Sequence, residues 1–199
     1  VDSVTCFEQL RADLEKQIAL TSDLWTDLTE RAELLEYKKG EHLLIAGEIC
    51  HHGYFVNKGS FVHTFIGENG EESVVGFSID QTNRFLSSAK SYYSQQPSPF
   101  EIRALENSEV LRFSKHDLEE LARNYYPFAA FYHQIVSNAL LNMYVFNAMR
   151  LSLSAEDFLK YLYREHPTYL QRLPDKYVAR FMGVSNEWFC KIKKRILQS

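Results

Sequence analysis

The apolar residues of this chain change their spacing twice, near Lys39 and again at Ser114, and that double switch limits the fold more than any other feature of the sequence. Before the first switch, Phe7, Leu10, Leu14 and Ile18 fall three and four residues apart, the period of an amphipathic helix. Ser22-Asp23 reads as the cap of a second helical segment carrying Trp25, Leu28 and Leu34, so residues 2 to about 36 are expected to be helical. From Lys39 to Ser114 the apolar runs are short and divided by glycine-bearing turns: "HLLIAGE", "GYFVNKGSFVHTFI", "GENGEESVVGFSI", "FEIRALENSEVLRFS". Within "FVHTFIGENGEESVVGF", Glu68-Asn69-Gly70 separates two β-rich runs and predicts a hairpin, because Asn and Gly tolerate positive φ. Several short strands at this spacing imply a β-sandwich or roll.

After Ser114 the period is helical again. Ser114 with Asp117 three residues on, and Ser154 with Asp157, each form a capping-box pattern that opens a helix. Pro127 suits the first turn of a helix. The run that follows places Phe128, Phe131, Ile135, Ala139 and Met143 on one stripe, with Tyr132, Val136 and Leu140 beside it. That stripe is wide for a helix that only leans on a β-domain, so part of it is expected to be a subunit interface. The boundary between domains is expected near Leu151 to Ser154. Beyond it the pattern predicts helix 154–165, a loop through Pro167, helix 174–182, a turn at Gly183 and a last helix from Ser185.

Charge is distributed unevenly over these parts. The chain as a whole carries −4, yet from Pro174 onward Lys176, Arg180, Lys191, Lys193, Lys194 and Arg195 face only Asp175 and Glu187, which makes that segment +4 and the rest −8. An acidic body with a basic end suggests a contact surface for a polyanion. With 45% hydrophobic and 24% charged residues over 199, the chain has the composition of an ordinary globular protein. No apolar run approaches the roughly 20 residues of a membrane span, and the start lacks the basic and apolar regions of a signal peptide, so a cytoplasmic protein without a membrane partner is expected. Cys6, Cys50 and Cys190 are odd in number and far apart, which fits a reducing compartment and supplies no C-x-x-C metal site. His51-His52 beside Cys50 are adjacent on the chain; on a strand they would diverge to opposite faces rather than share an ion.

The basic end has the form of a helix-turn-helix. In "PDKYVARFMGVSNEWFCKIKKRI", Tyr177, Val178 and Phe181 give the first helix an apolar face, Gly183 permits the turn, and Val184 fills the elbow. Ser185 caps the second helix, and Phe189 and Ile192 face inward. Asn186, Glu187, Lys191 and Lys194 remain on the outer face at helical spacing. Set in a major groove, such a helix presents its N-terminal side chains to base edges: Asn to adenine, Glu to the cytosine amine, Lys to guanine. Lys193 or Arg195 would neutralise phosphate.

The order of parts resembles the Crp/Fnr family of bacterial transcription regulators over nearly the whole chain, and in particular the shorter members seen in Bacteroidetes. "KGEHLLIAGEICHHGYFVNKGSF" resembles the family's K-G-E, Q-G-E and Y-x-I-x-x-G-x pattern, and "FEIRALENSEVLRFSKHDLEEL" its V-R-A-x-x-x-x-E-V-x-x-I-S segment. The end segment resembles its I-A-x-x-x-G-x-S-x-E-x-x-x-R-x-L-K reading helix, so Ser185, Glu187 and Lys191 occupy phosphate- and base-contact positions. The resemblance implies an α+β fold: an N-terminal double-stranded β-helix, or jelly roll, of the cyclic-nucleotide-binding type over 1–126, a long dimerisation helix over 127–152, and a helix-turn-helix domain over 153–199. It implies a homodimer that reads an inverted repeat in double-stranded DNA and works with RNA polymerase.

The chain departs from that family where a cyclic nucleotide would bind. The family's F-G-E-L-A cassette and its following P-R-A or R-S-A match "FLSSAKSYYSQQPSPFEIRA", in which Ser87 and Ser88 replace Gly and Glu and Ser98 stands near the Arg position. Without an Arg fork a buried phosphate lacks its charge-assisted partner, so no cyclic AMP cofactor is expected. Arg103 aligns with a different Arg of the closing strand. A family-like pocket would be lined by Phe77, Phe85, Ser87, Ser88 and Ser98, holding an unknown small-molecule effector or its own aromatic side chains. Cys6 alone cannot hold an Fe–S cluster, and haem is not indicated. The reading helix differs as well: Asn186, Glu187 and Lys191 stand where members reading TGTGA-type half-sites carry Arg, Glu and Arg, and no β-hairpin wing follows before Ser199.

Two other readings stay open at this point. One is a ligand- or protein-binding module whose terminal helices do not read DNA. The other is a cupin-like metal enzyme, for which the sequence offers little: such sites need two His one residue apart with a Glu nearby, whereas His51-His52 are adjacent and His63 is followed by Thr-Phe. No nucleophile–base constellation is visible, so no catalytic residue and no metal ligand is expected.

Overall fold

The helical segments before the roll are held by local caps and by burial of one face. The computed structural model describes residues 5–198. A 3-10 turn, Thr5–Phe7, leads into α1 (Glu8–Glu15), whose Leu10 and Leu14 are buried, and α2 (Ser22–Glu30) buries Leu24 and Leu28. The cap of α2 is Thr21, whose Oγ1 accepts the Leu24 amide at 3.3 Å, rather than Ser22-Asp23. The helical stretch also ends earlier than the sequence predicts. Residues 33–37, "ELLEY", form strand β1 (Glu33–Tyr37), in which Leu34 faces Leu111 across the sheet. Residues 2–4 of the expected helix lie outside the described residues.

Seven further strands follow: β2 (His42–Leu44), β3 (His52–Lys58), β4 (Ser60–Ile66), β5 (Glu72–Ile79), β6 (Phe85–Leu86), β7 (Phe100–Ala104) and β8 (Ser108–Ser114). They build two antiparallel four-stranded sheets in the orders β1-β8-β3-β6 and β2-β7-β4-β5. The predicted hairpin joins β4 to β5: the Gly67 amide donates to the Glu71 carbonyl at 3.0 Å, and Gly70 takes φ 75°. A short helix α3 (Ala89–Ser94) interrupts the roll after β6.

The helices beyond the roll begin where their caps place them. Ser114 accepts the Asp117 amide at 3.1 Å and opens α4 (Lys115–Asn124). Helix α5 (Tyr126–Ser152) follows with Pro127 in its first turn, and Ser154 caps α6 (Ala155–Glu165) through the Asp157 amide at 3.2 Å. The segment after His166 was expected to be a loop; it is helix α7 (Pro167–Arg172), in which Pro167 fills a first-turn position that needs no N–H. The chain ends in α8 (Asp175–Met182) and α9 (Asn186–Gln198).

Two apolar clusters hold these elements. The first lies between the sheets and under α1, α2, α4 and the start of α5, around Phe55, Phe61, Ile102, Leu111 and Leu121. The second forms because strand side chains alternate between faces: on β4, Phe61 points into the roll while Val62 points out, and Val62, Val74, Phe77 and Ile79 bury against Phe158, Leu162, Val178 and Phe181 of the C-terminal helices. Each such fully buried side chain contributes about 1.5–3 kcal/mol. Ion pairs rim the second cluster. Arg172 reaches Asp80 at 3.0 Å and Glu106 at 2.8 Å, and Arg180 bonds Glu72, which also takes Arg103 at 2.8 Å.

One half-buried base makes this packing pH-sensitive. The His63 ring on β4 bonds the Ser78 hydroxyl at 3.1 Å, and burial lowers its pKa from 6.5 to about 4. The folded chain therefore favours neutral His63, so its contribution is complete above pH 6.5 and is lost as pH falls toward 4. Unfolding free energies from urea titrations between these limits are expected to fall with acidification by up to about 1.4 kcal/mol per pH unit from this residue. A His63→Gln variant should show a shallower decline.

Candidate nucleic-acid interface and ligand pocket

The last two helices are joined by a turn that only glycine makes without strain. Gly183 sits at φ 73°, and the amides of Gly183 and Val184 return to the carbonyls of Arg180 (3.1 Å) and Ala179 (3.0 Å), closing the end of α8. Ser185 Oγ then accepts the Trp188 amide at 3.2 Å and starts α9. Phe189 and Ile192, fully buried, fasten α9 onto the second cluster, and Val184 packs half-buried at the elbow. The Ser185 hydroxyl also bears on Glu187. The residue's own amide and that hydroxyl hold the Glu187 carboxyl below the usual carboxylate range, so it is an acceptor at neutral pH.

Of the seven residues expected to meet DNA, Ser185 at the cap and Asn186, Glu187, Lys191, Lys194 and Arg195 on α9 are exposed. Glu187, Lys191 and Lys194 recur at four and three residues along the face opposite Phe189 and Ile192. Lys193 departs from the expectation. It is half-buried, lies four residues after the anchor Phe189, and bonds Asp175 at 2.7 Å, so its amine ties α9 to the start of α8 instead of facing out. Arg195 is exposed but paired with Glu156 at 2.9 Å. Sequence reasoning passed over Trp188, which stands on the same helix with 42% of its surface exposed and the Lys191 amine 5.5 Å from its ring centre. The signal was a large aromatic at a position not required by the apolar stripe.

The five residues expected to line an effector pocket do not share one space. Ser88 and Ser98 are buried and close on each other, Oγ to Oγ at 2.7 Å, with Ser98 also bonding the Phe100 backbone. Ser87 is half-buried beside them. Phe85 packs on Phe55 and Phe131. Phe77 faces away from the roll interior, with its ring against Tyr169 and Phe181 at 5.4 and 5.5 Å. Phe77 and Phe85 instead line a cleft of about 780 Å³ between the roll, α5 and the C-terminal helices, together with Asn83, Arg84, Asn142, Phe146 and Arg150.

Metal ligation gains no support from the histidines of the early roll. His51 Nδ1 lies 2.9 Å from Gln95 Oε1, and His52 begins β3. Among the described residues the carboxylates of Asp117 and Glu120 come near His116, but both already pair with Arg31, at 3.1 and 2.6 Å.

The comparisons with known proteins agree with this architecture. Residues 34–125 match the family model of the cyclic nucleotide-binding domain. No curated protein sequence matches the chain. Among solved structures it is similar to FixK2 from Bradyrhizobium japonicum, with a TM-score of 0.73 at 12% identity over 84% of this chain and 85% of that one. It is similar to the c-di-GMP responsive global regulator CLP of Xanthomonas campestris, at 0.68 and 16% over 89% and 92%. A transcriptional regulator of the Crp/Fnr family from Eubacterium rectale gives 0.66 and 12% over 89% and 84%. The 34–125 segment is thus similar to the cyclic nucleotide-binding domain in sequence pattern and in fold. With the helices that follow it, the chain shares its overall fold with these solved structures.

Proposed function

We propose that the chain is a DNA-binding transcription regulator that works as a homodimer on an inverted repeat. The observation that carries this reading is α9: its Ser185-capped end offers Asn186, Glu187, Lys191 and Lys194 to solvent on a helix anchored from below by Phe189 and Ile192. An exposed helix N-terminus with amide, carboxylate and ammonium side chains is equipped to read base edges, and the net positive charge of the segment suits phosphate. In this reading 1–126 is a sensor-type roll, 127–152 the dimerisation helix and 153–199 the reading domain. Lys193, committed to Asp175, contributes position rather than contact.

Dimerisation is supported by the outer side of α5. Leu140, Tyr144 and Leu151 are 60%, 75% and 76% exposed and stand about one turn or two apart on one side of a 27-residue helix. A second copy of the same face covers them by two-fold symmetry and places two α9 helices about one turn of DNA apart, roughly 10 bp. Cyclic AMP is not the effector in this reading, because Ser88 and Ser98 are spent on each other and Ser98 stands near the position where the family carries its phosphate-binding Arg. A small-molecule effector, where one acts, fits the cleft that Phe77 and Phe85 line. In this reading the protein is a cytoplasmic non-enzyme with RNA polymerase as a further partner. Among the described residues no helix is long and apolar enough to cross a membrane.

Lys191→Ala provides the test. On a duplex carrying the preferred site it should weaken binding by about 1–3 kcal/mol and relax the choice at one base position. An unchanged binding curve would remove Lys191 from base reading.

A further inference from the structure

Trp188 carries a large aromatic ring on the partly exposed flank of α9. It is the third residue of α9, and the cap formed by Ser185 fixes its amide at 3.2 Å. Its neighbours Phe189 and Ile192 are fully buried, so the helix is already anchored without it. The ring instead stays 42% exposed on the flank next to Lys191, whose amine lies 5.5 Å from the ring centre. The pair presents an apolar plate and a cationic donor side by side, in the first two turns of the helix that carries Asn186 and Glu187.

We propose that Trp188 is a specificity residue of the reading helix, whose ring packs on the C5-methyl group of a thymine beside the base read by Lys191. This rests on the DNA-reading function proposed above. Among the four bases only thymine offers an apolar group in the major groove, so it is the base that an indole face can select. Successive bases along one strand are about 3.4 Å apart, so a ring and an amine held 5.5 Å apart address bases one or two steps from each other. The preferred half-site should therefore hold a thymine within two steps of the position that Lys191→Ala relaxes.

The experiment uses the full chain and the duplex that it enriches from a random pool. Each thymine of the half-site is replaced in turn by deoxyuridine, which removes only the methyl group, and binding is measured for the wild type, Trp188→Ala and Lys191→Ala. One thymine per half-site should lose roughly fourfold in wild-type affinity on demethylation, the worth of one buried methyl. Trp188→Ala should be indifferent to that replacement, whereas Lys191→Ala should still feel it. The proposal is overturned if no thymine methyl is coupled to Trp188, including the case in which Trp188→Ala binds every duplex as the wild type does; the exposed ring would then be a protein-contact residue. Enrichment of no duplex at all would remove the DNA-reading function itself, and this proposal with it. Unchanged circular dichroism of Trp188→Ala separates these outcomes from misfolding.

Discussion

Replacing Phe181 by alanine is expected to lower the unfolding free energy by about 3–5 kcal/mol, the range for deleting a large buried aromatic. The ring is buried where three parts of the molecule meet. Its centre lies 5.5 Å from Phe77 of the roll, 5.4 Å from Phe146 of the long helix, and 6.2 and 6.4 Å from Phe158 and Tyr169 of the C-terminal helices. No one element can close the cavity, since each presents a different wall. Urea titration should show a lower midpoint at unchanged slope, with roll and C-terminal helices unfolding in one transition, because Val62, Phe77 and Ile79 belong to the same cluster as Phe189 and Ile192. A loss under about 1 kcal/mol, or two separated transitions, would mean that the C-terminal helices do not share a core with the roll.

The second large effect concerns self-association. Leu140→Glu combined with Tyr144→Glu should leave the monomer fold intact, since both side chains are exposed in the single chain at 60% and 75%. Across a two-fold seam the same change brings carboxylates together where apolar surface was to be covered. With two hot-spot side chains worth about 2 kcal/mol each, association should weaken roughly a thousandfold, and light scattering should report the mass of one chain. DNA affinity should fall with it, because a monomer engages one half-site. A double variant that keeps the wild-type mass would remove this face of α5 from self-association.

What the sequence disclosed depended on whether the cause was local. Ser114 with Asp117 and Ser154 with Asp157 lie three residues apart, so their caps could be read directly and are found as expected. The turn glycine, the cap at Ser185 and the anchors Phe189 and Ile192 were legible for the same reason. Leu34 was not, because its spacing satisfies a helix stripe equally well and only Leu111, far away in sequence, makes its segment a strand. Pro167 was read as a loop residue, although a proline serves a helix start as well as a break.

At the candidate sites the same division holds. The exposed face of α9 follows from helical spacing, but the pairing of Lys193 with Asp175 depends on how α8 crosses α9. Phe77 was expected in an effector pocket because a family-like roll would line one with it. Which face of β5 it takes is decided by register, and register turns it toward Tyr169 and Phe181. Ser88 and Ser98 come together, but the hydrogen bond that closes them on each other has no signature along the chain.

The most direct test of the central claim is selection from a pool of random duplex DNA by the purified full chain, at near-physiological salt and without added ligand. A homodimer that reads DNA through α9 should enrich an inverted repeat whose half-site centres lie about one helical turn, roughly 10 bp, apart. Retention without any sequence preference, vanishing with a modest rise in salt, would contradict it and reduce α9 to a helix that meets only phosphate.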